Sequence, residues 1–155
     1  PEIEIINGGE VATNKYVVYV NSADTASSYE IDFSATDTDL VTYEKANKNI
    51  DMVSELKRAE IYWKKLDGTK KLIKSSDYKN YKDGTNHVGP LKNGIVQEIL
   101  LGETNLTAEE LAQIEFEVED PAGRGATFII EVEDGKSGIS KVEVDLRVRD
   151  LFEMD

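Results

Sequence analysis

At 155 residues the chain can bury one core but is short of two ordinary domains, so residues 1–155 are expected to form a single unit. Hydrophobic residues at 39%, charged residues at 32% and a Tyr-rich aromatic set describe a polar sequence that folds. The absence of Cys excludes a disulfide framework, a thiolate metal site and a cysteine nucleophile, and a net charge of -13 disfavours nucleic acid as a partner.

Glu2 to Ile6 alternates polar and apolar residues, the period of a strand, and Asn7-Gly8-Gly9 supplies a turn. Tyr16 to Val20 reads as a second strand, and Tyr29, Ile31 and Phe33 give a third strand an apolar inner face. Leu40 to Tyr43 fits a short fourth strand. From Lys45 to Lys57 the spacing of Ala46, Ile50, Val53 and Leu56 suits a short helix, with an irregular crossover as the alternative.

Ala59, Ile61 and Trp63 alternate with Glu60, Tyr62 and Lys64, and Asp67-Gly68 turns the chain into Lys70 to Lys74, which predicts a hairpin with a lysine-rich polar face. Residues 75–94 lack periodicity and read as a long loop carrying Tyr78, Tyr81 and the single His87. Ile95 to Leu101 reads as a buried strand. Thr107 and Glu110 fit a capping box that opens one helical turn through Leu111. Ile114, Phe116 and Val118 then alternate with Glu115, Glu117 and Glu119, which predicts a strand with one acidic face. Ala126 to Val148 predicts the longest hairpin, with Val142, Val144, Leu146 and Val148 on its dry side.

Eight or nine strands with one or two short helices predict an all-β, two-layer antiparallel β-sandwich, immunoglobulin-like or jelly-roll-like. Ile5-Ile6-Asn7-Gly8-Gly9, Thr13-Asn14-Lys15-Tyr16 and the phrase from Val132 to Ile139 resemble short pieces of bacterial immunoglobulin-like modules. They include no diagnostic residue, and no family is assigned from them.

One histidine provides neither a hydrolytic triad nor the three or four ligands of a zinc site, so no catalytic residue and no enzymatic activity is expected. No resident cofactor is expected, with calcium the one candidate. Asp37, Asp39, Asp120 and Asp134 sit at predicted strand ends, where carboxylates and loop carbonyls can meet, but none follows the spacing of a 12-residue calcium loop. No run of about 18 apolar residues and no signal-like segment is present, so no membrane insertion is expected.

Charge is unevenly distributed: residues 1–56, 57–92 and 93–155 carry -8, +6 and -11. This pattern favours a non-enzymatic structural or assembly domain, on a virion or cell surface, that binds itself or another structural protein through Lys64 and Lys70 on one side and Glu115, Glu117 and Glu119 on the other. The alternative is a polysaccharide-binding module with a structural calcium that stacks sugars on Tyr62, Tyr78 and Tyr81, joined by Trp63 unless that ring is core, the reading its alternation with Ala59 and Ile61 favours.

Overall fold

The computed structural model describes residues 1–36, 55–56, 58–77, 91–92, 96–120, 122–133 and 138–149. The strands are β1 (Glu2–Ile5), β2 (Gly9–Ala12), β3 (Lys15–Asn21), β4 (Glu30–Thr36), β5 (Glu55–Leu56), β6 (Arg58–Lys64), β7 (Lys70–Asp77), β8 (Leu91–Lys92), β9 (Gln97–Leu100), β10 (Ala126–Glu133) and β11 (Ile139–Arg149). Helix α1 (Ala108–Val118) lies between β9 and β10.

A six-stranded sheet runs in the order β2-β3-β11-β10-β6-β7, a three-stranded sheet in the order β1-β4-β9, and β5 and β8 form a separate pair. Among the described residues the architecture is therefore a mixed, sheet-rich fold with two main sheets and one α-helix. Both sheets feed one apolar core. Ile3, Ile5, Ile31, Phe33 and Ile99 come from the smaller sheet, and Val18, Ile61, Trp63, Phe128, Val144 and Leu146 from the larger.

The hairpin of β10 and β11 forms as its alternation predicts, in continuous register from Ala126↔Leu146 to Glu133↔Ile139. Val142, Val144 and Leu146 are buried, and Val148 packs against the same core. The Asp67-Gly68 hairpin also forms, because Asp67 Oδ1 accepts from Thr69 N and Oγ1 while Gly68 takes φ +91, a conformation other residues resist.

Pairing is not antiparallel throughout. β3 runs parallel to β11, with Tyr16 opposite Val144 and Val18 opposite Leu146. Alternation fixes which face a residue occupies but not the direction of its neighbour. Here the chain leaves the smaller sheet after β1, turns at Asn7-Gly8, enters the larger sheet as its edge strand β2, and returns as β3 beside β11.

The predicted strand from Ile114 to Glu119 is instead the second half of α1. The capping box at Thr107 and Glu110 forms, but the helix it opens continues to Val118 rather than stopping at Leu111. Leu111, Ile114 and Val118 have helical spacing and face the core, whereas Phe116, which a strand would have buried with them, is 71% exposed. Glu115, Glu117 and Glu119 consequently do not share one face. The strand β2 has all four residues exposed, so it has no inner-face pattern to announce it.

The predicted strand at Leu40 to Tyr43, most of the helix-or-crossover segment at Lys45 to Lys57, and most of the loop at 75–94 lie outside the described residues. Within that predicted loop, β7 continues to Asp77 and Leu91–Lys92 forms β8.

Candidate functional site

The outer face of the smaller sheet follows directly from its inner face. Because Ile3, Ile5, Ile31, Phe33 and Ile99 point inward, Glu2, Glu4, Glu30, Asp32 and Glu98 point outward. Register places Asp32 opposite Glu98 and Glu4 opposite Ser34. Five carboxylates therefore share a face whose three strands carry no Lys or Arg. A hydrogen bond with Asp32 pushes the Glu30 carboxyl above its ordinary value, with burial and the charge of Asp32 acting in the same direction.

The outer face of the larger sheet is mixed in sign and internally paired. Arg58 pairs with Glu60, with Glu131 at 3.5 Å and with Glu133 at 3.0 Å across three strand positions. Lys64 Nζ lies 3.5 Å and Lys15 Nζ 3.9 Å from the two carboxylate oxygens of Glu143. These cross-strand pairs neutralise the face locally.

The β6–β7 hairpin ends in a basic corner. Lys71 is held by Glu110 and by the Asn105 carbonyl, whereas Lys65, Lys70 and Lys74 make no ion pair among the described residues. Lys65 Nζ lies 5.4 Å from the Trp63 ring centroid and Lys70 Nζ 5.0 Å from that of Tyr62. Tyr62 also donates its hydroxyl to Glu60 at 2.6 Å. Trp63 itself is fully buried in the core.

The hairpin thus brings Tyr62, Lys64 and Lys70 together. Glu115, Glu117 and Glu119, predicted as one acidic strand face, are instead spread around the end of α1. Glu115 accepts from Ala26 N at 3.2 Å, Glu117 is 3% exposed beside Gln113, and Glu119 closes the helix. Together with burial, Glu115 and Glu119 help push the Tyr29 phenol up to about 12, burial being the larger cause.

Asp120 is occupied by its own turn: Oδ1 accepts from Ala122 N at 2.9 Å and Oδ2 from Arg124 Nε at 2.6 Å, which holds its carboxyl below the usual range. Asp37, Asp39, Asp134, Tyr78 and Tyr81 lie outside the described residues. Among the described residues no three His, Asp or Glu side chains gather as metal ligands.

A cleft of about 880 Å³ opens where the two sheets approach at β1. Along β11 the pairing with β3 begins only at Glu143, so among the described residues Ile139–Val142 have a partner strand on the β10 side alone, and β1 pairs only with β4. Two side-chain hydroxyls bridge the gap: Ser140 donates to the Pro1 carbonyl, and Tyr16 donates to the Ile3 carbonyl at 3.5 Å. Ile3, Ile5 and Ile139 supply apolar wall, and Glu2, Glu4 and Glu10 supply the rim. Burial, followed by Glu10 and Glu4, raises the Tyr16 phenol.

Sequence reasoning missed both the acidic face and the cleft. The signal for the first was present in β1 and β4, which alternate cleanly, but not in β9, whose Gln97-Glu98-Ile99-Leu100 does not, and the pairing of the three was hidden. No family model, curated protein or solved structure matches the chain.

Proposed function

We propose that this chain is a structural assembly module, a component of a surface layer, filament or virion, whose copies join through complementary charge. The observation that carries this reading is the separation of sign. Five carboxylates occupy the outer face of the three-stranded sheet, whose strands carry no Lys or Arg, and Lys65, Lys70 and Lys74 crowd the far edge of the six-stranded sheet with no ion pair among the described residues. Unlike patches at different places on one molecule favour a heterologous contact, which closes a ring or propagates as a filament.

An immunoglobulin-like topology suits this role. Its support is the strand order: in that reading β1, β4 and β9 would correspond to the A, B and E strands, and β6, β10 and β11 to C, F and G, with β7 added beside C. The opening segment crosses from one sheet to the other and runs parallel to the last strand. Such a frame presents two broad outer faces on a rigid core, and a building block requires rigid faces.

Sedimentation velocity across a concentration series, from low to physiological salt and above, tests the proposal. Self-association that weakens as added salt screens the contact pairs supports it. A monomer at every salt and at high concentration overturns it.

A further inference from the structure

Resting on the assembly reading above, we infer that the cleft along β1 receives the tip of the β6–β7 hairpin from a second copy, with Leu66 as the inserted knob.

The tip has the properties of an insert. Leu66 stands 58% exposed at its end, between Lys65 and Asp67, with Lys70 on the returning strand, so lysines outnumber the carboxylate at the tip. The turn beneath it is fixed by Lys65 N donating to Thr69 O at 2.8 Å, by Gly68 N donating to Lys65 O at 2.9 Å, and by the Asp67 carboxylate holding Thr69. A knob already held in shape loses little conformational freedom when it docks.

The cleft has the matching properties of a receiver. Its volume of about 880 Å³ falls within the usual range of binding clefts, roughly 300–1,000 Å³. Ile139, 52% exposed, is its accessible apolar wall, since Ile3 and Ile5 are buried, and Glu2, Glu4 and Glu10 outnumber the one lysine of the lining, Lys141, where Lys65 and Lys70 would arrive. The two sheet edges that frame it are bridged by the Ser140 and Tyr16 hydroxyls rather than by a strand.

Topology prevents a copy from filling its own cleft. The tip follows Lys64, whose register partner Thr127 lies opposite Asp145, near the far end of β11. The cleft borders Ile139–Val142, at the start of β11, beside β1. Knob and cleft therefore occupy opposite edges and opposite ends of the large sheet. A contact between them leaves one free knob and one free cleft on every pair, the condition for head-to-tail growth.

The chain has no cysteine, which permits a direct test. Chains carrying Leu66→Cys are mixed under mild oxidation with chains carrying Ile139→Cys, and with chains carrying Val11→Cys as an exposed control outside the cleft. A disulfide-linked pair of Leu66→Cys with Ile139→Cys, well above the control, is expected. Leu66→Ser, at an exposed turn where folding is unaffected, should weaken self-association about tenfold or more, as removal of one buried leucine contact does. Lys65→Glu with Lys70→Glu should abolish association, and mixing that variant with Glu2→Lys, Glu4→Lys chains should restore it. Self-association that persists in Leu66→Ser, with no preference for the Ile139 cross-link, overturns the knob-and-cleft contact while leaving assembly standing. Absence of self-association in the unmodified chain overturns both.

Discussion

Lys71 Nζ lies 2.5 Å from Glu110 Oε1, and that oxygen also accepts the Thr107 amide at 3.0 Å, so one carboxylate caps α1 and ties it to β7. Thr107 completes the exchange by accepting Glu110 N at 3.1 Å. The same lysine reaches the Asn105 carbonyl at 3.2 Å, and Asn105 N donates to Ile73 O at 2.9 Å, so the segment entering the helix is fastened along the edge of the large sheet. A single charge pair thereby links local helix initiation to tertiary docking.

The Lys71 ammonium, with the Thr107 amide, holds the Glu110 carboxyl below its ordinary value. A depressed folded-state value means that the stabilisation is complete above the unfolded value and is lost as pH falls through the folded one. Glu110→Gln should therefore cost about 1 kcal/mol at neutral pH, the scale of one cap plus a partly exposed ion pair. Urea unfolding of both proteins should show the difference shrinking on acidification. A difference that stays constant into strong acid would show that the charge is not its source.

Glu117 has the opposite sign. It is the one buried charged side chain among the described residues, and burial raises its carboxyl while the Gln113 amide at 3.1 Å, the Trp63 indole and the charge of Arg124 act against that rise. A raised folded-state value gives a contribution that is complete below the unfolded value and is lost as pH rises through the folded one. At neutral pH the buried charge therefore costs stability. Glu117→Gln should raise neutral-pH stability by on the order of 1 kcal/mol, with little gain in acid. A loss of stability at neutral pH would mean that the ionised carboxylate is needed where it stands.

The strands legible in the sequence are those with one dry face. Ala59, Ile61 and Trp63, or Val142, Val144 and Leu146, show a period that burial imposes, and each lies in the core. The segment after Thr107 satisfies two periods at once. Ile114, Phe116 and Val118 alternate like a strand, while Leu111, Ile114 and Val118 repeat like a helix. Only tertiary packing decides between them, by burying Ile114 and Val118 and leaving Phe116 in solvent. The acidic face required register, since its five carboxylates come from three strands separated by up to 96 residues, from Glu2 to Glu98. The cleft had no signature at all, because it exists where pairing stops.

Core packing on β11 provides a direct check of strand faces. Leu146 is fully buried between β3 and β10, opposite Val18 and Ala126. Leu146→Ala should cost about 2–5 kcal/mol, as cavities in close-packed interiors do. Arg149→Ala, exposed at the end of the same strand, should fall within about 0.5 kcal/mol of the parent. Equal effects in thermal unfolding would mean the faces of β11 are assigned wrongly.

The crossing from the small sheet to the large one depends on the turn at Asn7-Gly8. Asn7 continues the ladder that β1 leaves, since its Nδ2 donates to Glu30 O at 3.0 Å and its Oδ1 accepts Asp32 N at 2.9 Å. Gly8 then passes so close to β3 that an added Cβ would lie 2.7 Å from the Val17 carbonyl and 2.8 Å from Val18 Cγ2. The first of these is backbone, which cannot swing aside. Gly9, next in the chain, has open space at the same position. Gly8→Ala should therefore cost about 1–3 kcal/mol through forced displacement of β3, while Gly9→Ala should change stability by less than about 0.5 kcal/mol. Because Gly8 also lines the cleft, the displacement should weaken self-association even under conditions where the fold survives. Equal melting temperatures for the two variants, with unchanged association, would show that this crossing tolerates a side chain and that the cleft does not depend on its geometry.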